Sequence, residues 1–178
     1  LFPLRPSLAV LAAMVHEVRE GVRERVFPGL VVLLSAGLTG VFVTGSNGIN
    51  FQQISVDGRN AGGTAVTALG FVFNASSNIN AQNISAANIT GAGIQSARVA
   101  SLTVNNFTVQ NAGGPGIVVN QNSTANSFSN GTISNTGLTS AFGNGGGIQV
   151  VGFTGGATSA SFNNITITGA RAPVAAQA

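Results

Sequence analysis

Asn83-Ile84-Ser85-Ala86-Ala87-Asn88-Ile89-Thr90-Gly91-Ala92-Gly93-Ile94 aligns without a gap on Asn106-Phe107-Thr108-Val109-Gln110-Asn111-Ala112-Gly113-Gly114-Pro115-Gly116-Ile117, further along the same chain. The shared pattern is Asn/Gln-x-Ser/Thr-apolar-x-Asn/Gly, and it occurs three more times, at Gln53–Gly58, Asn130–Asn135 and Asn164–Gly169. The five copies start at positions 53, 83, 106, 130 and 164, so the intervals between them are unequal. After each of the first four copies a Gly-rich turn leads into a second apolar step, read as Ala65-Val66, Gly93-Ile94, Gly116-Ile117 and Gly147-Ile148. A unit of this length with two or three short strands cannot bury its apolar face alone. Stacking the units gives a continuous core and pairs each strand with its own copy in the next unit. Unequal spacings follow if loops bulge from the turns while the strands keep register. Asn at a repeated turn tolerates left-handed backbone and can stack as a hydrogen-bonded ladder.

These repeats resemble the right-handed parallel β-helix repeats of the pectin-lyase-like superfamily, over about residues 48–173. They are most similar to the non-enzymatic Gly/Asn/Thr-rich forms in autotransporter passengers and filamentous bacterial surface proteins. The fold expected is therefore all-β: a right-handed parallel β-helix, or solenoid, of about five coils, preceded by an N-terminal helix. A rival rhythm is also present. Ile79, Ile84, Ile89, Ile94, Val99, Val104 and Val109 recur at every fifth position, which resembles a pentapeptide-repeat solenoid. That rhythm breaks at Gly114, and Pro115 and the long loops fit the irregular coil better.

Upstream of the repeats the composition changes, which divides the chain into residues 1–44 and a β-helix over 45–178. Ser7 to Val26 carries apolar Leu8, Leu11, Val15, Val18, Val22 and Val26 at spacings of three and four, the pattern of an amphipathic helix. Leu30 to Val43 is uncharged and strongly apolar. It reads equally as a signal peptide, with Arg23 and Arg25 ahead of it, or as a helix and first strands that cap the coils. A membrane span is the third reading, but the stretch is short and interrupted by Gly37 and Gly40. The opening Leu1 points to a fragment or a processed form, and Met14 could serve as the start of a signal peptide.

Charge is scarce throughout. Only 6% of the 178 residues are charged, and seven of the eleven charges fall ahead of Val26. The rest are Asp57, Arg59, Arg98 and Arg171. A formal charge of +3 without a Lys/Arg stripe argues against nucleic acid as a partner. A single acid after Arg25 cannot assemble a paired-carboxylate or calcium mechanism of the kind the resembled enzymes use. Zero Cys removes disulfides and thiolate metal sites. Asp57 beside Arg59 reads as a turn pair, Arg98 and Arg171 as surface residues, and His16 lacks a second ligand. Gly143-Asn144-Gly145-Gly146-Gly147 lacks the Lys of a phosphate loop. Seven Asn-x-Ser/Thr sequons, at Asn74, Asn83, Asn88, Asn106, Asn122, Asn130 and Asn164, arise mostly from the repeat. Ice binding would want Thr-x-Thr in every coil, and Thr166-Ile167-Thr168 alone has it clearly.

The expectation is thus no catalytic residue, no metal and no cofactor. The chain reads as a secreted or cell-surface structural or adhesive module, a segment of a longer passenger or filament. Self-association end to end or through a solenoid edge is expected, because an open edge invites pairing. A host surface or a polysaccharide is the other partner class. The competing expectation is a carbohydrate-active β-helix, lyase-, hydrolase- or tailspike-like, whose acids lie elsewhere. A further one is a module that presents loops Asn120–Asn126 and Ser140–Gly146 to a ligand. No stable membrane span is expected in the mature form.

Overall fold

A computed structural model describes residues 39–60, 62–137, 146–152 and 156–177. The helix expected over 7–26 and most of the apolar segment after it lie outside the described residues. Among the described residues, twelve strands run in chain order as β1 (Thr39–Thr44), β2 (Asn50–Gln52), β3 (Ser55–Asp57), β4 (Leu69–Asn74), β5 (Ser77–Ile89), β6 (Ile94–Ala97), β7 (Ala100–Ala112), β8 (Ile117–Asn120), β9 (Asn126–Thr136), β10 (Ile148–Val151), β11 (Ala160–Thr168) and β12 (Val174–Gln177). They form two parallel sheets. The first, sheet A, has the order β1-β4-β6-β8-β10-β12; the second, sheet B, runs β11-β9-β7-β5-β2, with β3 also paired to β5. Each coil visits sheet A and then sheet B, so five coils are stacked and β12 begins a sixth. No helix of the described residues is long and apolar enough to cross a membrane.

The register of sheet B reproduces the sequence repeat. Ser55 pairs with Ser85, Ser85 with Thr108, Thr108 with Thr132 and Thr132 with Thr166. Each pair joins equivalent places in successive copies of the motif, so the unequal intervals of the sequence are the unequal lengths of the coils. The first strand begins ahead of the compositional break: β1 pairs with β4, with Val41 opposite Phe71 and Val43 opposite Phe73. Residues 39–44 therefore already belong to the first coil.

The sheet-A step that matches Gly93-Ile94 is Gly70-Phe71, not Ala65-Val66, since Phe71 pairs with Ile94. Ala65 instead forms an antiparallel bridge with Arg59, and Val66 is exposed. Residues 59–60 and 62–68 lie in a loop inserted between coils. This insertion is why the first interval, from Gln53 to Asn83, is longer than the second, from Asn83 to Asn106.

Both halves of the repeat have a packing cause. The glycines that enter sheet A, Gly40, Gly93 and Gly116, face the fourth residue of the motif in the same coil. A Cβ on them would lie 2.4 Å from Val56 Cγ1, 2.3 Å from Val109 Cγ1 and 2.5 Å from Ile133 Cγ2. The two sheets thus approach too closely here for any side chain but hydrogen. The motif's outer residues are corners. Gln53, Asn83, Asn106, Asn130 and Asn164 have φ of 53–57°, and Asn88, Asn111, Asn135 and Gly169 have φ of 50–62°. Asn and Gly adopt this left-handed region at little cost. Left-handed residues recur at every fifth position at Asn78, Asn83 and Asn88, and again at Ser101, Asn106 and Asn111. The fivefold rhythm of the sequence is therefore the spacing of corners within sheet B, inside coils several times longer.

Between corners the strands alternate, apolar inward. Ile79, Ala81, Ile84 and Ala86 are covered by Leu102, Val104, Phe107 and Val109, and one continuous cluster runs from Val41 to Ile148. Size is traded along a column. The third residue of the column Ile84, Phe107, Gly131, Ile165 has no side chain because the Phe107 ring lies where its Cβ would be, with ring atoms within 2.1–2.6 Å. Gly131→Ala is therefore expected to cost about 1–2 kcal/mol through overpacking. In the Phe107→Leu background the same change should cost less than half of that, as read from urea midpoints of the four proteins of a double-mutant cycle.

Candidate functional site

Two of the four charged side chains among the described residues, Asp57 and Arg59, meet at the first coil. Asp57 ends β3, where Gly58 turns the chain into the inserted loop. Asn60 organises that loop: its Oδ1 accepts from the Gly62 and Thr64 amides at 3.0 Å each. Arg59 is thereby turned back onto Asp57, and its Nε donates to the two carboxylate oxygens at 3.0 and 3.1 Å. Its amide donates to Asp57 Oδ1 at 3.1 Å, and Asn88 Nδ2 from the next coil donates to the same oxygen at 3.0 Å. The Arg59 side chain first, then Asn88, hold the Asp57 carboxyl well below the usual carboxylate range, and Asp57 in turn raises Arg59. Both side chains are about half exposed.

An acid in this state is a poor proton donor, and among the described residues no second carboxylate lies beside it. Among the described residues no three His, Cys, Asp or Glu side chains gather as a metal site. Arg98 sits apart at a corner and donates to Asn74 Oδ1 at 2.9 Å. Arg171 follows the last corner, and His16 lies outside the described residues.

The depressed Asp57 carboxyl has a consequence for pH. Its folded pKa lies below the ordinary value of about 3.9, so the stability it contributes is present above that value and is lost as pH falls below it. Wild type should accordingly lose stability between about pH 5 and pH 2 more steeply than Asp57→Asn, in thermal melts at fixed ionic strength. Parallel profiles would show that the pair contributes nothing.

Asp57 also ends a ladder. Asn135 Nδ2 donates to Asn111 Oδ1 at 3.3 Å, Asn111 to Asn88 at 3.2 Å, and Asn88 to Asp57. A second ladder climbs the neighbouring corner: Asn106 donates to Asn83, and Asn164 to Asn130 at 2.8 Å. Asn130 departs from the column and donates to Asn105 Oδ1 instead, at 2.8 Å. These ladders run along exterior corners. Among the seven sequon asparagines, the amide nitrogens of Asn74, Asn88, Asn106, Asn130 and Asn164 are already donating within the protein.

Between the two ladders lies a face of outward side chains: Ser55, Ser85, Thr108, Thr132 and Thr166 in one column, Asp57, Ala87, Gln110, Ser134 and Thr168 in the next. The Ser85 hydroxyl donates to Ser55 Oγ at 2.7 Å. Neutral hydroxyls and amides dominate this surface, and its one carboxylate is the one held by Arg59.

The loop Asn120–Asn126, expected to be available to a ligand, keeps Asn122 and Ala125 exposed and is pinned from within. Ser123 and Asn126 are buried. Ser123 Oγ donates to Asn120 O at 2.7 Å and accepts from the Val99 amide at 3.2 Å. Asn126 Oδ1 accepts from the Leu102 amide at 3.1 Å, and its Nδ2 donates to Ser96 Oγ at 3.0 Å. The sequence carried a faint sign of this polar knot: Asn126 stands where the coils before it have Ile79 and Leu102. The second expected loop, Ser140–Gly146, lies outside the described residues apart from Gly146, as do residues 143–145 of the glycine stretch. Gly147 belongs to the entry column of sheet A, with its Cβ position 2.9 Å from Ile167 Cγ2.

A family model described as the right handed beta helix region matches residues 31–169 of the 178. The chain belongs to this right-handed β-helix family. Neither a curated protein nor a solved structure is detectably similar to it. As in other members of a solenoid family, repetition here encodes backbone geometry, and function must be argued from the surface.

Proposed function

We propose that this β-helix is a secreted or cell-surface structural or adhesive module, without catalytic activity, within an autotransporter-like passenger or filamentous surface protein. The observation that carries the reading is the sheet-B face. Five coils present stacked hydroxyls and amides between two amide ladders, and the single acid there is consumed by Arg59 and Asn88. Such a surface is rigid, neutral and extended, suited to contact over a length rather than to chemistry at a point. Like charges stacked about 4.8 Å apart would repel, which favours neutral polar columns in any module built this way.

Two measurements together test the reading. The chain should be accessible to antibody on intact, unpermeabilised producing cells. The purified protein should leave acidic and neutral polysaccharides uncut over long incubations. Confinement to the cytoplasm would overturn the assignment to the surface. Depolymerisation that disappears in Asp57→Asn would replace the module with the carbohydrate-active reading.

A further inference from the structure

The pair Asn-Gly occurs at Asn47-Gly48, Asn130-Gly131 and Asn144-Gly145, the last of which lies outside the described residues. Glycine puts no side chain beside its own amide nitrogen and lets the backbone rotate. That nitrogen can therefore reach the side-chain carbonyl carbon of the asparagine before it. Asn47 and Asn130 are each preceded by Ser, so in an unfolded chain the two pairs are near equivalents. The fold makes them different.

Asn130 stands at a left-handed corner with φ of 53°, and both ends of its side-chain amide are engaged. Nδ2 donates to Asn105 Oδ1 and Oδ1 accepts from Asn164 Nδ2, each at 2.8 Å. Gly131 is buried in β9, paired to Phe107 on one side and Ile165 on the other, with the Phe107 ring where its Cβ would lie. Attack by its nitrogen would break both amide bonds and pull a core strand from its neighbours. Asn47 instead lies between β1 and β2, and meets the next coil through an isolated bridge to Ser77. Ser77 Oγ donates to its Oδ1 at 3.0 Å, and Asn78 Nδ2 donates to the same oxygen at 2.8 Å. Gly48 is exposed with φ of 74°, has open space where a Cβ would stand, and donates its amide to Ser77 O at 3.1 Å. Its approach to Asn47 Cγ asks for that bond and one surface turn to open, and every core strand stays in its sheet.

We infer that Asn47-Gly48 is a site of spontaneous modification, at which the folded protein converts Asn47 to aspartate or isoaspartate while Asn130-Gly131 stays intact. The Gly48 nitrogen bonds to Asn47 Cγ, the bond from Cγ to Nδ2 breaks, and Nδ2 leaves as ammonia with the Gly48 amide proton. Water then opens the cyclic imide. Opening at Cγ gives aspartate, and opening at the backbone carbonyl of residue 47 gives isoaspartate. The aspartate form keeps the coils paired, because Asn47 meets Ser77 and Asn78 as an acceptor and a carboxylate accepts as well. At Asn130 the same change would remove the donor to Asn105. The modification thus adds an acid to a surface on which Asp57 is the one carboxylate among the described residues.

The test is peptide mapping of the folded full chain, kept warm at mildly alkaline pH and sampled over time. Chymotryptic cuts after Phe42 and Phe51, and after Phe128 and Leu138, place the two pairs on separate peptides. Asn47 should gain the carboxylate mass at least about tenfold faster than Asn130, because a surface turn opens more readily than paired strands. In urea the two rates should converge. Asn47→Gln, whose longer side chain does not close the same ring, should leave its peptide unmodified. Asn47→Asp should melt with the wild type, and Asn130→Asp below it. Equal rates in the folded protein, a faster Asn130, or a difference that survives in urea would each overturn the inference. So would an Asn47→Asp protein that melts below Asn130→Asp.

Discussion

Phe128→Ala is expected to lower the stability of the protein by about 3–5 kcal/mol, with a smaller loss of about 1 kcal/mol from its ring contacts included. The side chain is fully buried in the fourth coil. Its ring meets Phe107 edge-on at 6.3 Å and Phe162 face-on at 5.3 Å. Deleting it opens a cavity between three coils whose backbones are fixed by parallel pairing and cannot collapse to fill the space. Phe162→Ala is the internal comparison, since Phe162 occupies the same column one coil later but is only partly covered. It should cost less than half as much, as read from urea unfolding. Equal losses would show that Phe162 is as well packed as Phe128, against its partial burial.

The second large effect is at Asn126. Asn126→Ala removes the acceptor of the Leu102 amide and the donor to Ser96, both buried. A stranded backbone amide in the core costs about 1–3 kcal/mol, and with the lost Ser96 bond the total should be on the order of 2–4 kcal/mol. Asn126→Leu restores apolar volume but not the acceptor, so it should rescue less than half of that loss. If Asn126→Leu proved as stable as wild type, the amide would be satisfied some other way and the knot would be dispensable. The knot also has a direction. It ties coil three, through Ser96, Val99 and Leu102, to coil four, through Ser123 and Asn126, so it penalises any slip between them.

Much of this architecture is legible in the repeat. Asn83, Asn106, Asn130 and Asn164 were legible because a left-handed corner restricts which residues can stand there, and the restriction recurs in every coil. The Gly-apolar step was legible for the same kind of reason, a close approach that admits only hydrogen. Where the interval lengthened, the sequence misled. Ala65-Val66 imitates the step, but the true one is Gly70-Phe71, and only pairing with Ile94 reveals the inserted loop. Asn126 was hidden because one polar residue in a Ser/Asn-rich stretch looks like loop; its burial depends on what Leu102 and Ser96 present from the adjacent coil. Asp57 and Arg59 were visible as neighbours in a turn. The donation from Asn88, one coil further on, was not.

The sequence by itself determined that the chain repeats, that its coils are stacked by neutral side chains, and where the register of sheet B falls. It could do so because corner geometry and column packing act on single residue types at recurring places in each coil. Tertiary structure alone decided which polar residues are buried, how Asp57 is held, and where a loop is inserted between coils. Those properties depend on contacts between coils and on which strand pairs with which, and no local pattern encodes either.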